Sequence, residues 1–239
     1  GGVGNALKMF SDQGLKANDA ADMLAKAQAQ ANTTVQDLFD SMSVAGPMLD
    51  SVGWSFKDLA VITDVFGDAS ISGSEGATAV KTGLARLAAP AKEGADAMKK
   101  LGLSFFDANG KMDDMQTMQK KLHDSFAGLT DQEMMSAASA IFGKNQMGKW
   151  LTLIEQSPDT FAKYAAGLDG AAGSANNMAS ALLSGPGGAV EKLKSSFDVF
   201  KYTVGDTVAN AVTPFVEKIT ALLDKFNNMD EAQQKQIVK

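Results

Sequence analysis

The pattern that most constrains this chain is a polar capping residue placed directly ahead of apolar residues spaced three and four apart. It recurs along nearly the whole sequence and points to α-helix. Two helix starts have capping-box spacing, in which a Ser or Thr oxygen and a Glu three residues later each satisfy an orphan backbone N–H: Ser72 with Glu75, and Thr130 with Glu133. The first predicts a helix through Val80, Leu84 and Leu87 that stops near Pro90, because the residue before a proline disfavours the α conformation. The second predicts a helix through Met134, Ala138 and Ile141 to Gly143, where glycine suits the left-handed position past a helix end. Asn18 is expected to cap a helix carrying Ala21, Leu24 and Ala25. Thr34 is expected to cap one carrying Val35, Leu38, Phe39 and Met42, interrupted at Gly46-Pro47. Ser55 is expected to cap a third, whose buried face is Phe56, Leu59, Ala60, Ile62 and Phe66.

Between Leu103 and Met112 the helical period breaks, and an Asn109-Gly110 pair separates short apolar runs, which predicts a small β-hairpin. A lone hairpin is marginal in water, so Phe105 or Phe106 should pack onto the helices. A Gly-rich zone from Gly167 to Gly188 reads as a loosening of the chain. Beyond it Leu193, Phe197, Phe200, Val204, Val208, Val212, Phe215, Ile219, Leu222 and Phe226 recur at helical spacing, interrupted by Pro214. The expected fold is all-α, mainly helical, with one small β-hairpin near residues 103–112 and long C-terminal helices. The expected domains are a compact helical region 1–167, a Gly-rich linker 168–188 and a long amphipathic segment 189–239. The sequence opens on Gly1-Gly2-Val3-Gly4 and stops inside a helical pattern, so it reads as a piece of something longer. The stripe Val204, Val208, Val212, Phe215, Ile219 and Leu222 is the candidate for self-association or partner contact, against ordinary packing within the chain.

Chemistry-bearing patterns are scarce. With no cysteine, disulfides, thiolate metal sites and cysteine nucleophiles are excluded together. A net charge of -6 argues against a phosphate-gripping surface, so no specific nucleic-acid binding is expected. The longest apolar stretch, near Leu59-Ala60-Val61-Ile62, is broken by Asp58 and Asp64, far short of the roughly 20 apolar residues that span a bilayer. The one histidine, His123, lies in a predicted helix beside Asp124 without catalytic partners and reads as a surface or packing residue. Asp68-x-Ser70-x-Ser72-Gly73 imitates the start of a calcium loop, but its twelfth position is Ala79 where a bidentate Glu belongs. Asp107-Ala108-Asn109-Gly110 places its glycine too early and suits a turn. The 13 methionines, among them Met23, Met98, Met115, Met118, Met134 and Met135, fall in helical patterns and are expected mainly as core filling. No catalytic, cofactor or metal residue is assigned, and the chain is expected not to be an enzyme.

The order of the motifs carries a resemblance. Gly14-Leu15-Lys16-Ala17-Asn18-Asp19-Ala20-Ala21, then Val44-Ala45-Gly46-Pro47, then Val52-Gly53-Trp54-Ser55 ahead of a helix, resembles the conserved region of phage tail tape measure proteins. The family's small-residue turn followed by Gly-x-x-Ala-x-x-Ala/Val is resembled by Ile71-Ser72-Gly73-Ser74-Glu75-Gly76-Ala77-Thr78-Ala79-Val80, and its Leu-x-x-Leu-Ala-x-Pro ending by Gly83-Leu84-Ala85-Arg86-Leu87-Ala88-Ala89-Pro90. Leu101 to Met112 is similar to the family's Gly-hydrophobic-x-x-Phe-Asp-x-x-Gly hairpin, and Ile141-Phe142-Gly143 to its Ile-Phe-Gly signature. Where the family usually continues with a small acidic or alanine pair, this chain has Lys144-Asn145-Gln146-Met147.

The resemblance implies a structural protein lying extended and oligomeric in the tail tube lumen of the virion, and in the host cytoplasm during assembly. It implies a role in setting tail length and in genome ejection. The partners implied are the tail tube protein, tail assembly chaperones, other copies of itself and baseplate or tail-tip proteins, with host membrane contact during ejection. The rival reading is a helical adaptor or delivery component of a phage-derived injection machine, distinguished by a monomer that binds a host protein.

Overall fold

From Leu59 to Gly67 every residue is buried, and four helices of the same unit pack on this segment. The computed structural model describes Phe10 and residues 15–183. Its helices are α1 (Ala17–Gln30), α2 (Val35–Ser51), α3 (Phe56–Asp68), α4 (Gly73–Ala88) and α5 (Lys92–Lys100), then α6 (Met115–Phe126), α7 (Asp131–Phe142), α8 (Met147–Glu155), α9 (Pro158–Asp169) and α10 (Ser174–Leu183). The described residues fall into two compact units: Ala27–Gly170, and the parts of the chain on either side of it, up to Lys26 and from Ala171. In the first, α2 lies along α4, α3 packs against α2, α4, α8 and α9, and α5 lies on α7. A helix wrapped on all sides has no polar face, which is why α3 differs from the one-sided helix its spacing predicts.

Caps account for most helix starts. Thr130 and Glu133 form the predicted capping box at α7. Thr34 with Asp37 and Ser55 with Asp58 form two more, Asp serving at the third position in place of Glu. The box expected at Ser72 and Glu75 does not form: Ser72 precedes α4, but its hydroxyl caps nothing. Instead Asp37 reaches across from α2, its Oδ1 accepting the Gly73 N–H at 2.9 Å, so the negative charge at that helix start comes from another helix. Asn18 is not a cap either. The Lys16 carbonyl accepts the Ala20 N–H at 3.0 Å, which starts α1 at Ala17 and puts Asn18 in its first turn.

Gly46-Pro47 does not interrupt α2, which runs on to Ser51 with Pro47 inside it. Pro47 is exposed, so the carbonyl it leaves unbonded can turn to water, and Gly46 has no Cβ to collide with the proline ring. The predicted β-hairpin is also corrected. The described residues contain no strand, only one antiparallel bridge between Phe106 and Met112. It is flanked by Asp107 N–H to the Lys111 carbonyl at 2.9 Å and Asp113 N–H to the Phe105 carbonyl at 2.8 Å. The Asp107 side chain closes the turn, Oδ1 accepting the amides of Asn109 and Lys111, and Gly110 adopts a φ of 77°. Phe105 is buried, whereas Phe106 stays exposed.

The expected long C-terminal helices, the segment 189–239 and the stripe Val204, Val208, Val212, Phe215, Ile219 and Leu222 lie outside the described residues.

Candidate functional site

Two motifs widely separated in sequence meet at Trp150. The α4 stretch that begins at Gly83 leaves room for the indole: a Cβ on Gly83 would stand 2.3 Å from three indole atoms. The indole N–H donates to the Ala79 carbonyl, one turn earlier on α4, at 2.9 Å. On its ring face Trp150 stacks against Phe142, with centroids 4.0 Å apart and planes within 4°. Three residues after Gly83, Arg86 donates from Nε to the Ile141 carbonyl at 3.0 Å, satisfying one of the free carbonyls at the end of α7. That end is closed by Gly143, whose φ of 87° is open to glycine and costly for other residues. The Gly-Leu-Ala-Arg stretch and the Ile-Phe-Gly stretch are thus two halves of one joint.

A second joint closes α8. Its last residues turn into an extended Gln156, which leaves carbonyls without helical partners. Gln119 and His123, one turn apart on α6, supply the donors. Gln119 Nε2 reaches the carbonyls of Gln156 at 2.7 Å and Leu153 at 3.3 Å, and the His123 ring places Nδ1 2.8 Å from the carbonyl of Ile154. As the donor there, His123 is an orienting and capping residue. A small apolar cavity of about 20 Å³ lies beside these groups, lined among others by Trp54, Met118, Trp150 and Phe161, with room for little more than one water.

The third polar arrangement surrounds Asp64. The side chain is fully buried; Oδ2 accepts from Gln30 Nε2 at 2.8 Å and Oδ1 has no partner. Burial pushes its carboxyl up to about 7; the hydrogen bond from Gln30 and the nearby Thr33 hydroxyl oppose the rise and the Asp68 charge adds to it. Asp68 accepts the Asn32 N–H at 2.7 Å and the Tyr164 hydroxyl. Burial and the Asp68 contact drive that phenol up to about 12. Gln30 also donates to the Tyr164 carbonyl at 3.3 Å, so α9, α3 and the end of α1 meet in a single polar seam.

These arrangements decide most of the sequence candidates. Both Asp68 oxygens are engaged by Asn32 and Tyr164, Ser70 turns the chain at a φ of 59°, and the calcium-like spacing serves as a helix end. Met115 and Met118 are buried as expected, but Met135 is half exposed on α7. Among the described residues no three acidic or histidine side chains converge as a metal site, and no helix is long and apolar enough to cross a membrane. Sequence reading missed Asp64, Gln119 and Trp150. Only Trp150 left a signal, an indole N–H that must find an acceptor once buried.

A family model described as phage-related minor tail protein matches residues 1–143. Over 236 residues, covering 99% of this chain and 20% of the relative, the chain is 29% identical to the tape measure protein of Pneumococcus phage Dp-1. Over 125 residues, covering 52% of this chain and 15% of the relative, it is 27% identical to the probable tape measure protein of Escherichia phage P2. The chain therefore spans a fifth or less of the length of these relatives. No solved structure matches it.

Proposed function

We propose, from the premise that this chain belongs to the phage-related minor tail protein family and is part of a phage tail structural protein, that the whole protein is a tape measure. In this reading it fixes tail length during assembly and takes part in genome ejection. It lies in the tube lumen and meets tube subunits, assembly chaperones and tail-tip proteins. The observation that carries the reading is likeness to a tape measure protein along 99% of the chain. The described residues add support: Arg86 and Gln119 are spent on closing helix ends, as expected of a structural unit.

Loss of the gene from its phage or prophage should abolish tails of defined length. Helical insertions in the full protein should lengthen tails by about 1.5 Å per residue, the helical rise. Tails of normal length without the protein would overturn the reading.

Self-association through Val204, Val208, Val212, Phe215, Ile219 and Leu222 belongs to the same proposal, since a long apolar stripe needs a partner. Light scattering on the chain with and without the residues after Gly188 tests it. A defined oligomer that becomes monomeric on truncation is expected; a monomer in both cases would remove the stripe from any interface between copies and favour the adaptor reading.

A further inference from the structure

Asp22 in α1 accepts hydrogen bonds from two backbone amides far along the chain. The Gly173 N–H reaches Oδ2 at 2.9 Å across 151 residues, and the Ala175 N–H reaches Oδ1 at 3.0 Å across 153. Both amides belong to the start of α10, so the carboxylate takes the place of a capping side chain and meets the positive end of that helix. The residue ahead of α10, Gly173, carries no side chain to do this itself and sits at a φ of 79°. Ala20, Leu24 and Ala25 in α1, and Ala171 and Ala175 around the start of α10, are buried. Everything between, including the whole compact unit Ala27–Gly170, departs from and returns to one place.

We infer that Asp22 is a clasp that removes residues 23–172 from the axial length of the protein, so that this segment is carried as a folded bead and tail length is read from the chain outside it. The inference rests on the tape-measure reading above. Drawn out as continuous helix, the clasped residues would span about 220 Å; clasped, their ends stand a hydrogen bond apart. The segment therefore adds mass to the tape without adding reach.

Two experiments test this. In the intact chain, nitroxides placed at the exposed Asp19 and Asn177 should give one short distance by pulsed electron resonance, broadened in Asp22→Ala. A broad distribution in the unmutated protein, or a short distance indifferent to Asp22→Ala, would overturn the clasp. In the phage, a helical insert of about 60 residues, worth about 90 Å of helix, is placed at the exposed Gly128 turn and, separately, outside the clasped segment. Lengthening by the outer insert alone supports the inference. Equal lengthening by both overturns it and leaves the ruler intact. No lengthening by either overturns the ruler reading, and the inference with it.

Discussion

Trp150 occupies the space that Gly83 leaves open on α4, its indole N–H bonded to Ala79 and its face stacked on Phe142. Gly83→Ala sets two effects against each other. Helix propensity favours alanine by about 1 kcal/mol. The added Cβ meets a rigid, hydrogen-bonded ring rather than the loose end of a side chain, and overpacking of that kind costs about 1–3 kcal/mol before any loss of the bond. With the indole bond to Ala79 also lost, worth about 1 kcal/mol, net destabilisation of about 1–3 kcal/mol is expected by urea denaturation. Gly148→Ala, in α8 with nothing within 4 Å of the new Cβ, is the control and should stabilise by about 0.5–1 kcal/mol. If both variants melted like the parent, the close fit at Gly83 would be wrong.

Gln119→Ala leaves two carbonyls at the end of α8 without their donor, and should cost about 1–3 kcal/mol. His123→Ala removes a single donor and should cost about 1 kcal/mol. Because both serve one helix end, hydrogen exchange should speed up in α8 before it does in α2. Acceleration spread evenly over the unit would argue against a local capping role.

Asp64 makes stability depend on pH. Its folded value, about 7, lies above the ordinary 3.8, so the folded chain holds a proton that the unfolded chain gives up. The stability this contributes is fully present below about pH 4, declines as pH rises toward 7 and levels off above it; three units are worth up to about 4 kcal/mol. Urea midpoints should fall between pH 5 and pH 8, and Asp64→Asn should flatten that fall. Asp37 and Asp114 act in the opposite sense. Burial raises both carboxyls, but hydrogen bonds from Thr34 and Gly73 in one case and Thr117 in the other outweigh it and hold them below the usual range. Their contribution is present above about pH 4 and lost below. A parent and an Asp64→Asn variant with the same slope from pH 5 to 8 would show that Asp64 does not titrate there.

Ser70 ends α3 in the left-handed region, with its N–H on the Gly67 carbonyl at 2.9 Å and that of Ile71 on the Phe66 carbonyl at 2.8 Å. Gly53 and Gly102 fill the equivalent place after α2 and α5. Ser70→Gly relieves the Cβ of that strain at some cost in unfolded-chain entropy and should raise stability by about 0.5–1 kcal/mol. A lower melting temperature would contradict it.

What could be read in advance was local. The Thr130–Glu133 box, the Ser55 cap, the stop near Pro90 and the Gly143 end each depend on residues a few positions apart, and sequence spacing displays such pairs. What escaped was long-range. Asp37 caps α4 from 36 residues away, Gln119 reaches α8 over 34 and 37, and Trp150 finds Ala79 over 71. Asp64 reads as a polar break in an apolar stretch, yet it is inside, because Gln30 supplies a donor that no spacing rule connects to it. The hairpin was misjudged in degree: its turn chemistry is real, but one bridge satisfies it and the chain then enters α6.

The match to the family model stops at Gly143, one residue after Phe142. The ring that Phe142 stacks on, the side chain that fills the gap at Gly83 and the buried Phe161 all come later. A ribosome that has released only the matched residues has therefore delivered a core with its keystone missing. Until α8 and α9 emerge, the surface of α3 that both cover and the surface of α4 that α8 covers have no partner from this unit.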